Sequence, residues 1–217
     1  MSNSASDSTL RERGDYTYEN AELNHSHAYL LPAVEAILAP VRPAPGSTRK
    51  LFELGCGNGS VAARFARLGF DVTGVDPSAE GIQQAHQQFP ALNLHEGSAY
   101  DDLPAKYGRF PIVTSFEVVE HVYFPRKFAA TLYNLLEPGG IAIVSTPYHG
   151  YLKNLALALT GKMDGHFTAL WDHGHIKFWS MDTLRALLQE AGFISIEFHR
   201  VGRFAPLAKS MIAVARK

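Results

Sequence analysis

Between residues 49 and 144 short apolar runs alternate with longer stretches of helical period, and each change of period falls near a glycine or a proline. Strand-like runs occupy 50–54, 71–76, 92–95, 112–116 and 141–144. Helical stretches follow the first at 60–68, stopped by Gly69, and the second at 79–88, opened by Pro77-Ser78. A further helix is expected over 128–136. Repeated strand and helix with a continuous apolar run in each strand is the pattern of a parallel sheet covered on both faces. After residue 144 the alternation stops. A capped helix over 181–191 and strands over 193–198 and 210–215 finish the chain. The expected fold is therefore α/β, a Rossmann-like doubly wound, mostly parallel sheet with an antiparallel last strand.

Within that frame the stretch Leu51-Phe52-Glu53-Leu54-Gly55-Cys56-Gly57-Asn58-Gly59 organises the rest. An apolar strand ends in a carboxylate, then three glycines at alternate positions open onto a helix. Glycines accept positive φ and, lacking Cβ, let a ligand lie against the backbone. The spacing Glu-x-Gly-x-Gly-x-Gly differs from the dinucleotide fingerprint Gly-x-Gly-x-x-Gly. One strand later Asp76 stands where a carboxylate can accept both hydroxyls of a ribose. Together these residues resemble the glycine motif and ribose-binding acid of class I S-adenosylmethionine-dependent methyltransferases. Leu136-Glu137-Pro138-Gly139-Gly140, running into Ile141–Val144, resembles the turn into strand five of that family and is a second match.

The resemblance implies a seven-stranded sheet in one domain, residues 16–217, and the polar, serine-rich run before it, 1–15, is expected to be a disordered tail. The resemblance also implies a cap helix within 16–45 and a substrate-side insert within 146–180. For the cofactor it implies Glu53 at the amino acid end of S-adenosylmethionine, Gly55, Cys56, Gly57, Asn58 and Gly59 as the cradle, and Asp76 and Pro77 at the ribose. Ser98 and Ala99 fall where relatives contact the adenine, with serine replacing the usual acid or amide. Phe116 and Glu117 close the list at the end of strand four, and Tyr16 is a candidate to fold over the cofactor.

Composition narrows the acceptor. Twenty basic and 21 acidic residues leave a formal net charge of −1, which gives no reason to expect nucleic acid as partner, so a small-molecule substrate is expected. Cys56 is the only cysteine and sits inside the glycine turn, where smallness matters more than reactivity. No apolar stretch is long enough to span a bilayer, and a cytoplasmic location is expected.

Glu117-Val118-Val119-Glu120-His121 follows strand four, where open α/β sheets place their ligand crevice. The Glu-x-x-Glu-His pattern resembles the ubiquinone-biosynthesis O-methyltransferases, and the likeness implies a divalent ion, Mg2+, on Glu117, Glu120 and His121. Internal hydrogen bonding of the same three residues is the other reading of them. A phenol acceptor gains from a base, and the insert carries His149, His166, His173 and His175. His173 leads, with His149 and His175 behind it, because Asp172 to Phe178 resembles the His-x-x-x-Lys-Phe segment of the same enzymes. An apolar helix over 151–159 could meet a lipid-like substrate or a membrane surface, or pack on the core. The expected activity is methyl transfer to a phenol or catechol oxygen. A carbon or nitrogen acceptor, and a cofactor-binding partner protein without turnover, remain as alternatives.

Overall fold

The structure is a computed structural model that describes residue 23 and residues 26–42, 45–46, 48–171 and 174–217. Its seven strands are β1 Arg49–Leu54, β2 Phe70–Asp76, β3 Asn93–Glu96, β4 Phe110–Phe116, β5 Leu136–Pro147, β6 Ser195–Val201 and β7 Ser210–Arg216. They form one sheet in the order β3-β2-β1-β4-β5-β7-β6. β1 pairs in parallel with β2 and β4, β2 with β3, and β4 with β5, while β7 lies antiparallel between β5 and β6. This is the expected topology, with β7 as the one strand reversed.

Strict alternation along the strands divides the core in two. Ile112 and Ile143 join Leu30, Val34 and Phe65 on one face, whereas Val113 and Val144 join Phe128, Leu132 and Leu184 on the other. The first face is covered by α1 His27–Leu38, α2 Ser60–Arg67 and α3 Ala79–Gln88. The second is covered by α5 Pro125–Leu135 and α8 Met181–Glu190, with the short α4 Leu103–Tyr107 beside them. α5 starts three residues earlier than the pattern predicts, because Pro125 at its first turn has a fixed φ suited to a helix start. α8 carries a capping box in which Ser180 and Thr183 satisfy each other's backbone N–H groups.

Two further helices, α6 Tyr151–Leu159 and α7 Met163–Phe167, sit between β5 and α8 and contain no buried residue. Among the described residues no helix is long and apolar enough to cross a membrane. The tail of residues 1–15 and Tyr16 lie outside the described residues.

Candidate active site

The strand order reverses direction at β1 and β4, and parallel strands there leave their carboxyl ends uncovered. A cleft of about 590 Å3 opens at that point. Its floor is the turn from β1 to α2. Gly55 has φ of 86°, and a Cβ placed on it would run into Val118. Gly59, at φ of 77°, opens α2, and a Cβ there would stand 2.8 Å from Leu94 and 2.9 Å from Ala85. Gly55 thus lets the Glu117 loop approach the turn, and Gly59 lets α2 settle against α3. Gly59 does not line the cleft, so its part in the cradle is to shape it.

Asp76 fixes the turn from the neighbouring strand. Its Oδ2 accepts from the Gly57 N–H at 2.9 Å and its Oδ1 from the Ser78 N–H at 2.9 Å. Each carboxylate oxygen has further acceptor capacity, which suits it to a pair of ribose hydroxyls. Glu53 lies behind it, 2% exposed, with Oε2 lacking any hydrogen-bond partner. Burial, with Asp76 adding to it, pushes the Glu53 carboxyl well above its ordinary range. A buried, unpartnered carboxyl at the cleft is what an incoming ammonium group requires. Cys56 and Asn58 line the same cleft, as do Pro77, Phe116 and Glu117. The Cys56 thiol is pushed well up by burial and by Asp76 and Glu53, which keeps it protonated and inert.

Ser98 and Ala99 do not line the cleft. The Ser98 hydroxyl accepts from the Tyr100 N–H at 3.1 Å and its N–H donates to Asp101 Oδ2 at 2.8 Å, so both groups shape the turn after β3. The cleft is also lined by residues that no motif marks, among them Ser26, His27 and Trp171.

At the end of β4 the chain turns sharply. Glu117 has φ of 53°, in the left-handed region that side chains other than glycine rarely adopt. Its N–H donates to Ser145 O and Ser145 Oγ, both at 3.1 Å, and the Ser145 hydroxyl donates back to Glu117 Oε1 at 2.8 Å. Burial raises the Glu117 carboxyl from its ordinary value of 4.5 to about 7. Glu120 is 1% exposed, accepts from the Thr146 hydroxyl at 3.0 Å through Oε2, and leaves Oε1 without a partner. Burial and the neighbouring Glu117 hold its carboxyl well above the usual range.

The Glu120 carbonyl accepts from the N–H groups of Ile176 and Lys177 at 2.9 and 3.0 Å, tying residues 174–180 to the loop after β4. This brings His175 to His121, with ring centroids 4.9 Å apart. Candidate ligand atoms of Glu120, His121 and His175 then all lie within 4.8 Å of one another. The structure therefore groups Glu120 and His121 with His175, while Glu117 stands outside that triplet. One carboxylate and two imidazoles make a nitrogen-rich set, unlike the oxygen ligands that magnesium prefers, and closer to those of zinc or iron.

His149 lies in neither cleft wall. It is 8% exposed among His166, Phe167 and Phe178, its Nδ1 has no partner, and burial lowers its pKa to about 4. His173 lies outside the described residues. His175 is at the site, held neutral with a pKa lowered to about 4 by burial and by His121. A second cleft, of about 980 Å3, opens beyond it under α6 and shares Glu117 and His175 with the first. Its walls come from Tyr29, Lys153, His166, Arg203 and Lys209, segments too far apart in sequence to form a motif.

Known proteins resemble this chain in sequence and in fold. A family model described as a methyltransferase domain matches residues 23–197. A ubiquinone biosynthesis O-methyltransferase from Caulobacter sp. (strain K31) is 37% identical over 147 residues, covering 64% of this chain and 57% of that protein. One from Cereibacter sphaeroides (strain ATCC 17025 / ATH 2.4.3) is 32% identical over 162 residues, covering 71% and 64%. This chain thus spans about three fifths of the length of these relatives. Among solved structures, a possible histamine N-methyltransferase from Thermotoga maritima superposes with a TM-score of 0.63 at 20% identity, over 86% of this chain and 87% of that one. Magnesium protoporphyrin IX methyltransferase from Synechocystis PCC 6803 with bound S-adenosylhomocysteine gives 0.61 at 22% identity, over 86% and 81%. The glycine turn, the acid one strand later and the matched family model together make this chain a member of the class I S-adenosylmethionine-dependent methyltransferase family.

Proposed function

We propose that this chain transfers a methyl group from S-adenosylmethionine to a phenol or catechol oxygen of a small molecule. The observation that carries the reading is that the two clefts meet at Glu117 and His175, so donor and acceptor would face each other there. Bound S-adenosylmethionine supplies an electrophilic sulfonium methyl. Glu53 would take the ammonium of its amino acid end, and Asp76 the ribose hydroxyls. The glycine turn holds both carboxylates in position, and positioning accounts for much of what an in-line displacement needs.

The phenol must lose a proton as its oxygen attacks. A general base works best with a pKa near the working pH. Glu117, at about 7, meets that condition and His175, at about 4, does not. Glu117 therefore takes the base role that the sequence assigned to a histidine, and His175 lines the same cleft as a neutral donor or acceptor. The phenol proton passes to the Glu117 carboxylate, the new O–CH3 bond forms as the S–CH3 bond breaks, and Glu117 returns the proton to solvent. The donor set of Glu120, His121 and His175 does not match magnesium.

The test is release of S-adenosylhomocysteine with a panel of catechols, with and without chelator, by wild type and Glu117→Gln. Catechol-dependent release that the substitution abolishes supports the reading. Release only with amines or carbon nucleophiles moves the acceptor to those classes, and no release with intact cofactor binding favours a partner protein without turnover. Loss of release with chelator, restored by magnesium, would return the ion to the chemistry.

A further inference from the structure

We propose that the acceptor carries an anionic group, a carboxylate or a phosphate, and that Lys153 and Arg203 hold it in the second cleft. The inference rests on the methyl-transfer reading and deepens it.

Four cations, Lys153, Lys162, Arg203 and Lys209, line that cleft, against one carboxylate, Glu117. They converge from separate parts of the chain. Lys153 lies in α6, Lys162 just after it, and Arg203 and Lys209 in the connection between β6 and β7. Among the described residues none of the four is in an ion pair, the salt bridges there being Arg64 with Glu35 and Arg126 with Glu190. A chain of net charge −1 has no general surplus of base to explain this, so the concentration is local.

Lys153 is the most constrained. It is partly buried, and its Nζ donates to the Tyr148 carbonyl at 2.9 Å, which fixes the ammonium at the cleft wall. Burial and the neighbouring Arg203 both press its pKa down. Glu117 offsets part of this; two cations lining one cleft repel, and the repulsion is relieved when an anion enters between them. An arginine guanidinium presents its donors in the planar fork that matches a carboxylate or phosphate. Because Glu117 and His175 line both clefts, an acceptor with its acid among the cations and its hydroxyl toward Glu117 would present oxygen to the donor side.

The experiment compares 3,4-dihydroxyphenylacetate with its methyl ester and with 3,4-dihydroxybenzylphosphonate, in each of which a methylene insulates the ring from the change. Transfer is read as kcat/KM, and binding to the S-adenosylhomocysteine complex is read by calorimetry. Either acid should exceed the ester by about tenfold or more in both readouts, the advantage shrinking at high salt. The larger of the two acids tells carboxylate from phosphate. Arg203→Gln and Lys153→Met should each collapse the ratio, and Arg203→Glu should invert it. Arg203 is exposed, so its variants keep the test open if Lys153→Met does not fold. Equal affinity for acid and ester, or a ratio that survives Arg203→Glu, overturns the proposal. Selective binding without transfer leaves it standing and removes the methyl-transfer reading, and transfer without selectivity does the reverse.

Discussion

The donor side and the acceptor side of this molecule are built on opposite plans. On the donor side the cleft is a backbone turn with two buried carboxylates set against it. Gly55 and Gly57 have positive φ, Asp76 is bound by two backbone N–H groups, and Glu53 is 2% exposed. On the proposed acceptor side the cleft is lined by long side chains, under helices α6 and α7 that contain no buried residue. A site made of backbone tolerates few sequences, whereas a site made of side chains from distant segments can be rewritten without disturbing the fold. The contrast predicts that damage to the donor side costs binding and stability together, and damage to the acceptor side costs activity alone.

The sharpest test on the donor side is Asp76→Ala. It strips the partners from the Gly57 and Ser78 N–H groups, each a charge-assisted bond of roughly 1.5–3 kcal/mol. Unfolding stability should fall by about 3 kcal/mol, and calorimetric binding of S-adenosylhomocysteine should weaken by about a hundredfold or more. Retained binding would break the comparison.

Glu117→Gln should show the opposite sign in its two readouts. Transfer should drop by about 10²–10⁴-fold, the usual contribution of a positioned base. Stability should rise at alkaline pH. The native state keeps a proton on Glu117 between its ordinary value of 4.5 and about 7, so it binds more protons than the unfolded chain in that window and loses stability as pH rises through it. At 1.36 kcal/mol per unit the loss is about 3 kcal/mol, and the variant should lack it. Denaturant midpoints at pH 5 and pH 8 read the difference. Wild-type transfer should rise through about pH 7, as the same carboxylate ionises.

A smaller effect is expected at Gly59→Ala, whose Cβ would stand within 2.9 Å of two neighbours at a φ of 77°. A destabilisation of about 2 kcal/mol, read as a lowered Tm, is the ordinary result of overpacking at a strained backbone position. Smallest of all, Leu155→Ser and Leu159→Ser in α6, where the side chains are 55% and 78% exposed, should shift stability by less than about 0.5 kcal/mol. A large loss of stability there would mean that α6 is part of the core after all.

The same division explains what the sequence made legible. The strands, the glycine turn and Asp76 are local: each reads from a run of adjacent residues, and the parallel order follows from their alternation with helices. α4 and α7, at five residues each, are too short to show a helical period. β6 runs 195–201 rather than 193–198, because pairing with β7 sets its span more than its own apolar residues do. The pairing of His121 with His175 depends on two hydrogen bonds to the Glu120 carbonyl across 56 residues or more, which no spacing rule contains. The convergence of Lys153 with Arg203 is of the same kind. The left-handed Glu117 gave no signal, since only glycine advertises that conformation.

The reversed strand β7 also gives the two sides different histories. The glycine turn, Asp76 and the four strands β1 to β4 are complete by Phe116, and they pair with one another. β7 enters the sheet between β5 and β6, and because it runs backwards its first residue, Ser210, lies beside Pro147 at the acceptor cleft. A chain emerging from the ribosome can therefore shape its donor turn while the acceptor cleft still lacks a wall. The wall arrives about 94 residues later, several seconds of synthesis at roughly 5–20 residues per second. During that interval the donor cleft has its glycine floor but still lacks the wall that Trp171, Gly174 and His175 supply.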